Sequence, residues 1–138
     1  MCVMGSGPLP ATVRASVERA LVEERDAELV YEAALATLGD VGPLRPIARA
    51  ERRHSVAIER LLQAHGHPVP PREERAVAGP SDLAEACRGG VTVEKKNIAF
   101  YEKELAASLP SDVACVFEHL QHASRDHQLP AFERCAPK

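Results

Sequence analysis

A chain of 138 residues, 45% of them hydrophobic, is long enough for one domain with a real core. Its 17 basic residues are scattered and its formal net charge is −3, so it lacks the concentrated basic footprint of a nucleic-acid-binding protein. No apolar run reaches the roughly eighteen residues of a membrane span, and the opening MCVMGSGPLPATVRAS has no basic segment followed by an apolar one, which argues against a secretory signal.

Residues 1–10 read as a disordered tail, because Gly5, Gly7, Pro8 and Pro10 oppose regular structure. A long helix is expected from Ala11 to Leu38. Val13, Val17, Leu21, Glu24, Tyr31, Leu35 and Leu38 fall on one stripe of it, so Glu24 sits inside an apolar face. Glu23, Arg25 and Asp26 should be solvated, and Glu28 borders the core face one turn beyond Glu24. Gly39-Asp40-Val41-Gly42-Pro43 turns the chain into a second helix, Leu44 to His65. There Ile47, Glu51, His54, Ile58 and Leu61 are spaced 4, 3, 4 and 3, which puts a carboxylate and an imidazole at the centre of an apolar face. Gly66 suits the C-terminal cap, and His65 and His67 are assigned to the Pro-rich connection that follows.

Ser81-Asp82 opens a third helix running to about Ser108. Cys87, Val91, Glu94, Ile98, Tyr101 and Leu105 share its core face, so Glu94 is a third carboxylate directed inward. Gly89-Gly90 would kink the helix, split it or permit a close helix contact. Leu109-Pro110-Ser111-Asp112 makes the last turn. The fourth helix carries Val113, Phe117, Leu120, Ser124 and His127 on one stripe, and Pro130 should kink or end it. His119 and His122 fall on its surface flank. The result is all-α: an antiparallel four-helix bundle with a long middle connection. Cys2, Cys87, Cys115 and Cys135 contain no C-x-x-C, which argues against zinc ribbons and iron–thiolate knuckles; reduced thiols in the cytoplasm are expected.

The two halves repeat one pattern. Glu24 is followed seven residues later by Tyr31 and then by Glu51 and His54; Glu94 is followed seven residues later by Tyr101 and then by Ser124 and His127. Packed about a pseudo-twofold, Glu24, Glu51, His54, Glu94 and His127 would converge at one level of the core. Mixed carboxylate and imidazole donors suit divalent iron or manganese, with zinc as a further alternative. Tyr31 and Tyr101 would orient ligand carboxylates through their hydroxyls.

The arrangement resembles the ferritin-like superfamily of carboxylate-bridged di-metal bundles, above all its rubrerythrin-like branch. EERDAELVY, the AERRH around Glu51, GVTVEKKNIAFY and ASRDHQLPAF look more closely like a bacterial ferritin-like family still named as a domain of unknown function. The resemblance implies a single ferritin-like domain over residues 11–138, with Glu24 and Glu94 as terminal carboxylates, Glu51 as a bridge, and His54 and His127 as nitrogen ligands. It implies iron, as one or two ions, and a non-haem oxidoreductase acting on Fe(II), oxygen or peroxide. Ser124 departs from the pattern, because a complete di-iron site would place a bridging Glu there. That departure also leaves open a non-catalytic metal-binding module or a structural bundle with a degenerate site. A homodimer is compatible with the sequence, which identifies neither an electron donor nor a catalytic residue.

Overall fold

The computed structural model describes residues 2–138. It is all-helical among those residues: α1 (Ala11–Leu38), α2 (Leu44–Ala64), α3 (Leu83–Leu105) and α4 (Ser111–Ala123), the last continuing through a π-helical turn (Ser124–Gln128) into a short α5 (Leu129–Cys135). The boundaries follow local chemistry. Pro10 precedes the first turn of α1 and Pro43 that of α2, where a missing amide costs nothing. Asp82 caps α3 by accepting the Glu85 amide at 2.8 Å, and Glu85 reaches back to the Ser81 amide at 2.8 Å. Gly66, with φ +75°, ends α2 in a conformation that a side chain would strain.

The contacts fix the topology. α1 packs along α2, and α3 packs along α4 and α5. Ser16, Glu24 and Tyr31 of α1 bond to Glu104, Tyr101 and Glu94 of α3, so those two helices run antiparallel. The connection between α2 and α3 leaves the N-terminal end of α1 and returns along its outer face. Arg25 donates to the Pro70 carbonyl at 2.8 Å, Arg75 to Asp26 at 2.9 Å, and Gly79 lies against Thr37 near the end of α1. The connection thus crosses the full bundle, and α2 and α3 are parallel. Two antiparallel pairs, α1–α2 and α3–α4, are joined by one long crossover.

The core has two apolar compartments. One gathers Leu9, Val13, Val17, Leu21, Ile58, Leu61, Val113 and Phe117. The other gathers Ala27, Tyr31, Leu44, Ile47, Cys87 and Phe132. In α1 Glu24 falls between Leu21 and Ala27, and in α2 Glu51 falls between Ala48 and Ile58, so a polar layer separates the two compartments. Gly89-Gly90 does not split α3, which is one unbroken helix. A Cβ on Gly90 would lie 2.4 Å from the Phe132 ring, so this glycine permits close approach of α5.

Three expectations are corrected. Residues 2–10 are not a free tail. Leu9 is buried, and the Gly5 amide donates to Asp112 at 2.9 Å while the Leu9 amide donates to His67 at 3.0 Å. His65 bonds Asp112 through Nε2 at 2.6 Å and the Gly7 carbonyl through Nδ1 at 2.8 Å. Burial opposes a charge on His65, but the hydrogen bonds to Asp112 and Gly7 and the charge of Asp112 outweigh it and raise the imidazole pKa. The cysteines are not reduced thiols: Cys2 is bonded to Cys115 and Cys87 to Cys135, each pair with Cα atoms 5.8 Å apart. Glu23, expected to be solvated, is buried beneath Arg19 and Lys96.

Candidate metal centre

Glu24 and Glu94 are each seated by a tyrosine from the opposite half of the chain. Tyr101 on α3 donates to Glu24 Oε1 at 2.6 Å, and Tyr31 on α1 donates to Glu94 Oε2 at 2.5 Å. The seven-residue spacing makes this exchange possible, since two turns separate each carboxylate from its own tyrosine along the helix. Both hydroxyls are fully used as donors, and burial followed by the charge of the paired glutamate pushes both phenols up. They hold carboxylates in place without titrating.

Glu51 and His54, one turn apart on α2, face Glu24. His54 Nδ1 lies 3.5 Å from Glu24 Oε2 and 3.7 Å from Glu51 Oε2. The three side chains can each offer a donor atom within 4.8 Å of the others. Glu24, Glu51 and Glu94 all have zero solvent exposure. Glu24 Oε2, both Glu51 oxygens, Glu94 Oε1 and His54 Nδ1 have no hydrogen-bond partner. Among the described residues, no lysine or arginine forms an ion pair with any of the three carboxylates. Buried polar atoms in folded proteins are otherwise nearly always satisfied.

One expected ligand, His127, is not brought there. His127 is exposed, on the outside of the bundle, with its ring centroid 5.4 Å from that of His122. The cause is the π turn. In a regular α-helix His127 would follow Ser124 on the core face, but the Leu129 amide bonds to the Ser124 carbonyl five residues back. This wider turn rotates His127 outward and Gln128 inward. Pro130, which cannot donate an amide bond within the helix, sits directly beyond the turn. Ser124 is fully buried with its hydroxyl unpartnered, and Gln128 is buried with both amide atoms unpartnered. Glu28, a spare carboxylate by helical position, is bound by Arg72 and faces Arg52 at 3.7 Å.

Sequence reasoning also passed over Gln128, Ser55 and Asn97. Ser55 lies one turn beyond Glu51 and Asn97 one turn beyond Glu94. Both are buried with a polar atom unpartnered. The signal for Ser55 and Asn97 was helical spacing from an inward glutamate. The signal for Gln128 was the proline two residues later.

The three carboxylates divide their charge unequally. Burial pushes Glu24 up, but interactions with Glu51, His54 and Tyr101 outweigh it and hold Glu24 low. Burial and the neighbouring Glu24 charge push Glu51 well above the ordinary carboxylate range, with Gln128 opposing. Burial raises Glu94 to about 7, against the hydroxyls of Tyr31 and Ser124. In metal-free protein the folded state therefore keeps protons on Glu51 and Glu94 that the unfolded chain releases. Its stability should fall as pH rises from the ordinary carboxylate range through about 7. Urea unfolding of chelator-treated protein at acidic and alkaline pH measures this; equal or greater stability at the alkaline end would contradict the assignment.

No protein-family model and no curated protein matches the chain. Among solved structures it is similar to hypothetical protein MJ0754 from Methanococcus jannaschii. The TM-score is 0.83 at 23% sequence identity, over 96% of this chain and 83% of that one. At that identity the likeness establishes the fold. No described helix is long and apolar enough to cross a membrane.

Proposed function

We propose that this chain is a ferritin-like metal-binding protein that holds non-haem iron in its polar layer, with Glu24, Glu51 and His54 as ligands and Glu94 completing the anionic shell. One observation carries the reading: three carboxylates have no solvent exposure and most of their acceptor atoms unpartnered, and two of them, Glu24 and Glu51, meet the His54 imidazole. An uncompensated buried charge costs several kcal/mol, and a divalent cation removes that cost at once. The donor set of oxygens and one imidazole nitrogen fits iron, with manganese or zinc as alternatives. The crossover topology and the reciprocal tyrosine–glutamate bonds support the ferritin-like reading.

Iron bound there supplies an open-coordinate centre able to exchange electrons with oxygen or peroxide. The chain's own residues do the rest. Tyr101 and Tyr31 fix the orientation of Glu24 and Glu94. The apolar compartments on either side exclude bulk water and strengthen every interaction within the layer. The half built from α3 and α4 offers Glu94 but replaces the second bridge and nitrogen with Ser124 and Gln128. That asymmetry favours one ion over two, and it favours binding, storage or sensing over multi-electron turnover.

Anaerobic loading with Fe(II) followed by exposure to oxygen or peroxide separates these outcomes. The reading predicts stoichiometric uptake of about one iron per chain, competed by manganese or zinc. Continued oxidation of added Fe(II) beyond that stoichiometry would make the protein a ferroxidase, and failure to take up any of the three metals would overturn the reading.

A further inference from the structure

The two disulfides sit in opposite chemical settings. Cys87 is fully buried, and Cys135 Sγ lies 3.5 Å from the Ala131 carbonyl and 3.4 Å from that of Phe132. Carbonyl oxygens oppose a negative charge on sulfur. Cys2 and Cys115 are only partly buried, and Cys2 Sγ lies 3.5 Å from Nδ1 of the exposed His119, one turn beyond Cys115 on α4. The N-terminal segment is held over α4 independently of the sulfur bond, through Gly5 to Asp112 and Gly7 to His65. Opening the disulfide therefore leaves Cys2 beside its partners.

The geometry points to Cys2, Cys115 and His119 as a redox-gated site for a soft divalent cation such as zinc, closed as the disulfide and opened by an external dithiol. A dithiol thiolate attacks Cys115 Sγ, the S–S bond breaks, and Cys2 departs as a thiolate beside the His119 imidazole. The second dithiol sulfur then attacks the mixed disulfide and releases Cys115. Two electrons pass to the protein, the dithiol becomes a disulfide, and its protons pass to the cysteine sulfurs or to solvent. A leaving thiolate that can accept a hydrogen bond from a neighbouring imidazole, and is more exposed to the attacking dithiol, departs faster, so this bond exchanges before Cys87–Cys135. The two sulfurs and a ring nitrogen of His119 already lie within 4.8 Å of one another, and two thiolates with one imidazole form a three-ligand zinc set with a position left for water.

Cobalt(II) tests this on the full chain, because sulfur-to-cobalt charge-transfer absorption reports thiolate ligation and the polar core layer contains only oxygen and nitrogen donors. The protein is treated briefly with dithiol, freed of it anaerobically, and titrated. The thiolate band is expected only after reduction, alkylation mapping should mark Cys2 and Cys115 before Cys87 and Cys135, and Cys115→Ser should abolish the band. His119→Ala should weaken cobalt binding by about 10-fold or more. A reduced protein with no thiolate band, a band that survives Cys115→Ser, or prior opening of Cys87–Cys135 would overturn the proposal. Each of these outcomes is independent of whether the core layer binds iron.

Discussion

Glu51→Gln is expected to lower iron affinity by about 100-fold or more, while His127→Ala changes it by less than about twofold. The amide keeps the shape of the carboxylate and removes the negative charge that Glu51 would offer a cation beside Glu24 and His54. The same substitution should raise the stability of metal-free protein at alkaline pH. Glu51 is held above the ordinary carboxylate range by burial and by the charge of Glu24, so ionising it opposes folding. An amide can neither ionise nor repel Glu24, and it can donate to it. One variant thus weakens binding and strengthens the fold, which is the mark of a group kept for a ligand and not for packing. Competition titration against a chelator measures the first effect and urea unfolding of the metal-free protein the second. Equal losses in Glu51→Gln and His127→Ala would mean that the π turn does not govern which side chain faces inward.

Phe132→Ala should cost about 3–5 kcal/mol of stability. The ring is fully buried, its centroid is 5.1 Å from that of Tyr31, and it fills the space that Gly90 leaves open. The Cys87–Cys135 bond also ties α5 to α3. Because Phe132 supports the tyrosine that seats Glu94, metal affinity should fall as well. The two glycines give the converse check. Gly90→Ala forces a methyl group into the Phe132 ring and should destabilise by about 1–3 kcal/mol, whereas Gly89→Ala meets open space and should stabilise by up to about 1 kcal/mol. Equilibrium denaturation of the three variants tests the set; a Phe132→Ala loss below that of Gly90→Ala would place the weight of the packing elsewhere.

The helical architecture was legible because each helix states its own period. Ala11–Leu38 emerges from apolar spacing, and α3 announces itself with Ser81-Asp82. The inward glutamates were legible for the same reason, since Glu24, Glu51 and Glu94 interrupt otherwise apolar stripes. The reciprocal tyrosine bonds were half legible: the seven-residue spacing repeats in both halves, but only the antiparallel packing of α1 on α3 shows that the partners are exchanged.

What stayed hidden depends on non-local or irregular geometry. A π turn adds one residue to the register without changing composition, and Pro130 was its sole local trace. The N-terminal segment looks unstructured because its stabilising partners, Asp112 and Cys115, lie more than 100 positions away. Four cysteines permit three pairings, and spacing does not choose among them. Disulfides also belong mainly to oxidising compartments, so the cytoplasmic expectation loses its basis in reduced thiols.

Anomalous scattering from crystals loaded anaerobically with iron, with data at the iron, manganese and zinc edges, addresses the metal centre most directly. An iron peak is expected within bonding distance of Glu24, Glu51 and His54, in the layer between the two apolar compartments. Iron found only at surface histidines such as His122 and His127, or no peak in that layer after loading, would contradict it.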